Sequence, residues 1–64
     1  MKITLNGEAK ETNAATLAEL LSEQGVSGRV ATAVNESFVP SSLRIAHALN
    51  EGDRVEILAP MQGG

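Results

Sequence analysis

The residues of this chain best suited to chemistry are the last two, Gly63 and Gly64. A residue without Cβ can pass through a channel too narrow for side chains, and a terminal glycine leaves its α-carboxylate sterically open. Glycine-rich ends are often only frayed, so the dipeptide gains meaning from its position just after a well-patterned strand. We therefore interpret the α-carboxylate of Gly64 as the reactive group. We expect Pro60, Met61, Gln62 and Gly63 to enter a partner's active site with it, Met61 and Gln62 either as contacts or as spacer.

The composition restricts what the rest of the chain can do. The 64 residues carry a net charge of −3, with no cysteine and a single histidine. Disulfides and thiolate metal sites are thereby excluded, and binding to nucleic acid is disfavoured. No apolar run of signal-peptide or membrane-span length is present. We expect one small cytoplasmic domain, monomeric when free, with an aliphatic core, no bound metal or cofactor and no catalytic residues of its own.

Five segments have the composition or alternation of strands. Ile3 and Leu5 share one face of the first segment, and Val55 and Ile57 share one face of the last. Asn6-Gly7 between the first two is a strong hairpin signal, because both positions tolerate positive φ. The predicted strands are 1–6, 8–13, 29–35, 38–39 and 54–59. The stretch 41–49 fits either a helical turn or an irregular loop.

One helix is predicted to begin at Thr16. The spacing of Thr16 and Glu19 is that of a capping box, in which each side chain bonds the other residue's backbone N–H. A single apolar stripe follows, made of Leu17, Leu20 and Leu21. Gly25 suits the left-handed position after the helix, and Val26 then falls where a Schellman motif places its contact with Leu21.

This order of elements predicts an α+β fold of the β-grasp type: a mixed sheet of four to five strands with one helix packed on one face. The first and last strands are the most clearly amphipathic, so we expect them to lie side by side, parallel and central. Residues 1–59 would then form the domain. Residues 60–64 would form a flexible tail that leaves from the middle of the sheet.

Two surfaces are candidates for docking a partner. Leu58 faces away from Val55 and Ile57, toward the side of the sheet that one helix leaves open. Phe38 could join it there, although a core position is an equal alternative for Phe38. The other candidate is an acidic patch made of Glu36, Glu51, Asp53 and Glu56. A solvated face is the commoner explanation of such charges.

Five blocks of the sequence also form a recognisable pattern. They are Asn6-Gly7-Glu8, Ala33-Val34-Asn35, Phe38-Val39-Pro40, Leu49-Asn50-Glu51-Gly52-Asp53-Arg54-Val55-Glu56-Ile57 and Ala59-Pro60-Met61-Gln62-Gly63-Gly64. Together they resemble the ThiS family of thiamin-biosynthesis sulfur carriers over nearly the whole chain, and the last block is the most specific. The resemblance implies a ubiquitin-like β-grasp fold.

The resemblance also implies a chemical cycle and its partners. A ThiF-like enzyme would use ATP to adenylate Gly64, and a persulfide sulfur donor would convert the adenylate to a thiocarboxylate. The thiocarboxylate would then supply sulfur to a ThiG-like thiazole synthase. The chain would be a co-substrate and not an enzyme. Three alternatives stay open: a sulfur carrier for molybdopterin or cysteine formation, a ubiquitin-like modifier of lysines, and a non-covalent interaction module.

Overall fold

The computed structural model describes residues 1–26 and 28–58. Its elements are β1 (Lys2–Leu5), β2 (Glu8–Glu11), α1 (Leu17–Glu23), β3 (Ala31–Val34), β4 (Ser37–Val39), a 3₁₀ helix (Ser41–Ala46) and β5 (Arg54–Leu58). The strands form one sheet in the order β2-β1-β5-β3-β4. β1 and β5 are parallel, and the other neighbours are antiparallel. The predicted mixed sheet with parallel first and last strands is confirmed.

Helix α1 covers one face of this sheet through the predicted leucine stripe. Leu17 and Leu20 are fully buried, and Leu21 is 8% exposed. The core cluster is made of Ile3, Ala14, Leu17, Leu20, Val34, Val39, Leu49 and Val55. It draws on four strands and the helix, so the architecture is the β-grasp that the sequence predicted. Within the described residues, no helix is long and apolar enough to cross a membrane.

The ends of α1 follow the predicted local chemistry with one difference. Thr16 Oγ1 accepts a hydrogen bond from the backbone N–H of Glu19 at 3.2 Å. At the other end, Val26 donates to Leu21 O at 2.9 Å and Gly25 has a φ of 71°, as in a Schellman motif. The Glu19 carboxylate, however, accepts from Ala15 N at 2.8 Å and not from Thr16 N. The reciprocal half of the predicted capping box is therefore displaced by one residue.

The stretch that the sequence left open contains a 3₁₀ helix tied to the sheet by Arg44. Its Nε donates to Thr32 Oγ1 at 3.0 Å, and its Nη2 donates to Val30 O at 2.7 Å. Thr32 is 1% exposed, and its hydroxyl donates to Val39 O at 2.8 Å. Polar contacts thus hold this helix against β3, while its apolar side chains Leu43 and Ile45 stay exposed.

Several predicted strands are shorter in the structure. β2 ends at Glu11, because the buried Thr12 hydroxyl accepts from Ala14 N at 3.0 Å and turns the chain toward α1. β3 begins at Ala31 and not at residue 29. β1 ends at Leu5, because Asn6 adopts a left-handed conformation with a φ of 50°.

Candidate functional site

The last described residue, Leu58, ends the strand that leads to the predicted reactive terminus. β5 lies at the centre of the sheet, between β1 and β3. It pairs with β3 from Val34↔Val55 to Ala31↔Leu58, and with β1 at Arg54 and Val55. Val55 is 1% exposed. The strand before residues 59–64 is therefore held by pairing with a strand on each side and by the burial of Val55 in the core.

The β1 side of β5 is completed by a side chain. Asn6 N donates to Val55 O at 2.9 Å, the last backbone bond in this direction. The Asn6 amide then bonds Ile57 twice: Ile57 N donates to Oδ1 at 2.8 Å, and Nδ2 donates to Ile57 O at 3.2 Å. The sequence identified Asn6 only as a turn residue. The signal that could have revealed its contact with Ile57 is the position of Asn6 at the end of β1, next to the parallel strand β5, which extends beyond it.

A second asparagine holds the opposite end of β5. Asn35 also has a left-handed φ, 52°, and its Oδ1 accepts from Arg54 N at 2.9 Å. Its Nδ2 donates to Asp53 Oδ1 at 3.0 Å, and Asp53 Oδ2 accepts from Asn50 N at 2.8 Å. The start of β5 is thereby fixed by a network around a buried carboxylate.

The face of the sheet opposite α1 carries the predicted apolar docking residues. Phe38 and Leu58 are each 68% exposed, so the alternative of a core position for Phe38 is wrong. Phe38 pairs with Ala33, and Ala31 pairs with Leu58. A shallow groove between them is lined by Ala31, Thr32, Ala33, Phe38, Glu56 and Leu58. We call the apolar set made of the exposed Phe38 and Leu58 and the half-buried Ala31 and Ala33 the open-face patch.

The predicted acidic patch is not formed as a unit. Asp53 is only 8% exposed, and both of its carboxylate oxygens accept hydrogen bonds within the chain. Glu36 lies 3.6 Å from Arg54 Nη1 in an exposed ion pair, and Glu51 accepts from Lys2 N at 3.2 Å. Glu56 alone borders the groove of the open-face patch. Asp53 is buried because of how β5 pairs with its neighbours. The sequence placed Asp53 only in a turn, and a turn does not predict burial.

The carboxylate with a displaced pKa lies away from this face. Thr12 Oγ1 and Asn13 N both donate to Glu23. These hydrogen bonds, that from Thr12 first, lower the pKa of Glu23, because they favour the ionised form. They tie the end of α1 to the chain after β2, which is a structural role. Among residues 1–26 and 28–58, no group of three or more His, Asp or Glu side chains could hold a metal ion.

The predicted reactive terminus lies outside the described residues. This applies to Gly64 and to the segment expected to enter a partner's site, Pro60, Met61, Gln62 and Gly63. The structure does not test their roles. It does test the root of the segment, which is Leu58 in a central strand, as the sequence predicted.

Known proteins are similar to this chain over its whole length. A curated sulfur carrier protein ThiS from Thermus thermophilus is 40% identical over 63 residues, covering 97% of this chain and 98% of that protein. A thiazole synthase from Paramagnetospirillum magneticum is 42% identical over 66 residues. That match covers all of this chain but only 20% of the relative's length.

Solved structures agree with these similarities. A crystal structure of the thiamine biosynthesis protein ThiS from Geobacter metallireducens has a TM-score of 0.84 at 30% identity, with both chains fully covered. An NMR structure of a thiamine biosynthesis protein from the same organism has a TM-score of 0.79, and 88% of it is covered. The profile of the ThiS family matches residues 3–64. The chain belongs to the ThiS family.

Proposed function

We propose that this chain is a sulfur carrier for thiazole formation in thiamine biosynthesis, and that the α-carboxylate of Gly64 is the group that carries the sulfur. The observation that supports this most is the extent of the family match, which runs through Gly63 and Gly64 to residue 64. The sulfur carrier from Thermus thermophilus is matched over 98% of its length. The placement of Leu58 at the end of a central strand supports a terminus presented by a fixed body.

The proposed chemistry begins with activation of the terminus. A carboxylate is a poor electrophile, because its charge repels nucleophiles. A carboxylate oxygen of Gly64 attacks the α-phosphorus of ATP on a ThiF-like enzyme, and pyrophosphate leaves. In the acyl-adenylate the carboxyl group of Gly64 no longer carries a negative charge, and AMP is a good leaving group. The ATP is bound by the partner, and this chain holds no cofactor of its own.

Sulfur then replaces the AMP. The terminal sulfur of a partner's persulfide attacks the Gly64 carbonyl, a C–S bond forms, and AMP leaves with the electron pair of the broken C–O bond. A second thiol attacks the resulting acyl disulfide, forms a disulfide with the partner's sulfur, and releases the thiocarboxylate. The persulfide must come from a partner, because this sequence contains no cysteine. The chain is consumed and regenerated as a co-substrate and does not catalyse these steps.

The open-face patch is the surface that we propose for docking the activating enzyme. Phe38 and Leu58 are large apolar side chains with two thirds of their surface exposed, and adjacent exposed apolar side chains mark sites of protein–protein interaction. Leu58 is also the last described residue before the proposed reactive segment. A partner that covers Leu58 therefore has its active site within reach of Gly64, since the six residues 59–64 span at most about 20 Å.

The acceptor that we propose is a thiazole synthase in the cytoplasm. The match to one fifth of the Paramagnetospirillum thiazole synthase supports this choice over other sulfur acceptors. A carrier domain joined to its acceptor enzyme is held at a high effective concentration near that enzyme's active site. A separate carrier protein reaches the same active site by docking.

Mass spectrometry of the intact protein tests the proposed function. The chain is incubated with ATP, a ThiF-like enzyme and a persulfide source, and we expect one oxygen of the terminus to be replaced by one sulfur. A variant that lacks Gly64 is the control and should stay unchanged. An unmodified wild-type chain, or isopeptide-linked products with lysines of other proteins, would contradict the carrier function.

A further inference from the structure

The parallel ladder between β1 and β5 ends before β5 does. Thr4 pairs with Arg54 and Leu5 pairs with Val55, and β1 then turns away at Asn6 and Gly7, whose φ angles are 50° and 85°. β5 continues to Leu58. The backbone groups of Ile57 on the β1 side would have no strand to pair with, and unpaired groups here would leave the end of β5 attached only to β3.

The side chain of Asn6 supplies the missing partner. A primary amide presents its carbonyl oxygen and one of its two N–H bonds on the same side. A residue of a β-strand does the same with its own N–H and C=O, which belong to two successive peptide groups. Asn6 Oδ1 accepts from Ile57 N at 2.8 Å and Nδ2 donates to Ile57 O at 3.2 Å. Both groups of Ile57 are thus satisfied by one side chain that replaces a residue of β1. We call this pair of hydrogen bonds the Asn6 clamp.

The position of the Asn6 clamp is what makes it relevant to function. Ile57 is one residue before Leu58, and residues 59–64 lead from there to Gly64. With the clamp closed, β5 is held on both edges up to Ile57. With the clamp open, its last residues are held by β3 alone and gain conformational freedom that an enzyme must remove to seat the terminus.

We propose that Asn6 is a positioning residue for the chemistry at Gly64: its side chain fixes the root of the terminal segment, so that binding energy is not spent on ordering β5. This inference rests on the proposed function. Among the described residues, the hydrogen bonds of the Asn6 side chain go to Ile57, so Asn6 acts on the terminus through this residue. The Asn6 clamp bonds Ile57 and no residue of the open-face patch, and Leu58 stays paired with Ala31 of β3 when the clamp is lost. We therefore expect loss of the clamp to affect seating of the terminus far more than docking of the body.

The chain contains a matched control at the opposite end of β5. Asn35 occupies the first position of the other two-residue hairpin turn, with a φ of 52°. Its side chain also bonds the backbone of β5, at Arg54 N. Replacing either asparagine with glycine keeps a residue that adopts positive φ readily and deletes one side-chain attachment of β5. Only Asn6→Gly deletes it next to the terminal segment.

The experiment compares Asn6→Gly and Asn35→Gly in ATP-dependent adenylation by a ThiF-like enzyme, below the melting temperature of both variants. We expect Asn6→Gly to lower kcat about 5- to 30-fold, the effect of ordering roughly one further backbone residue at each turnover. Its dissociation constant from the enzyme should stay within about twofold of wild type. Asn35→Gly should keep kcat within about twofold of wild type, although it also loses the contact to Asp53.

Two further measurements separate positioning from a general loss of stability. Hydrogen exchange at the Ile57 amide should accelerate in Asn6→Gly and not in Asn35→Gly. Asn6→Asp keeps the acceptor for Ile57 N and loses the donor to Ile57 O, so its kcat should lie between those of wild type and Asn6→Gly. This variant carries the test if Asn6→Gly does not fold.

The outcomes separate the inference from the proposed function. Equal kcat for Asn6→Gly and Asn35→Gly, or for Asn6→Asp and wild type, would overturn the positioning role while the carrier function stands. If the wild-type chain is not adenylated at all, the proposed function falls and the positioning role falls with it.

Discussion

Replacing Leu58 with threonine tests whether the open-face patch docks the activating enzyme. Threonine keeps the β-propensity of the position and removes most of the apolar surface. Full burial of a leucine side chain stabilises by about 1.5–3 kcal/mol, and Leu58 still exposes 68% of its surface. A partner that covers it would therefore gain about 1–2 kcal/mol. Isothermal titration calorimetry should show a dissociation constant that rises about 5- to 30-fold.

The matched control for this experiment is Ile45→Thr. Ile45 is 76% exposed, and it lies beside Ala18 and Ser22 of α1, on the helix side of the sheet. The two substitutions remove similar apolar surface, so any effect on nonspecific hydrophobic association is the same for both variants. The folded protein should lose little in either case, since most of each side chain is already in water. Equal dissociation constants for the two variants, or a larger effect of Ile45→Thr, would refute docking through the open face.

Three further substitutions test other parts of the structure. Gly63→Phe should abolish adenylation and leave the melting temperature unchanged, and a large fall in melting temperature would mean that this segment is packed. Thr32→Val deletes the hydroxyl that bonds Val39 O and Arg44, so chemical denaturation should show about 1–3 kcal/mol less stability, and an unchanged value would contradict the role of this contact. The pKa of Glu23 is lowered in the fold, so its stabilising effect is present above the pKa of the unfolded chain and is lost as pH falls through the lower folded value. Denaturation from pH 6 to pH 2 should therefore show a shallower acid loss in Glu23→Gln, and identical pH profiles would show that Glu23 does not contribute.

Local chemistry is the part of the fold that could be read from the sequence. The helix begins at Leu17 with Thr16 as its N-cap, and it ends where Val26 bonds Leu21, because both signals depend on neighbours within a few residues. The central placement of β1 and β5 was predicted from their alternation, and their parallel pairing from the β-grasp arrangement with its right-handed crossover. The same alternation placed Leu58 on the open face.

Contacts between distant residues could not be predicted in this way. In Ser41–Ala46 the apolar side chains Leu43 and Ile45 are exposed, and the polar Arg44 makes the contact to the sheet. A prediction that places apolar residues inside therefore fails for this segment. Strand β4 has three residues before Pro40, too few for alternation to fix the direction of Phe38. The role of Asn6 depends on β5 extending further than β1, and register of this kind is set by tertiary pairing.

The placement of the terminal segment on β5 has a mechanical consequence for a chain of 64 residues. Local opening becomes more costly as more hydrogen bonds and buried side chains must be released together. β2, an edge strand, buries none of its residues, whereas β5 is paired on both edges and carries Val55 at 1% exposure. If the terminal segment followed β2, its entry into an enzyme could detach β2 from the sheet at little cost in free energy. The same segment on β5 transmits force to the whole core, so seating the terminus in a partner need not unfold the body.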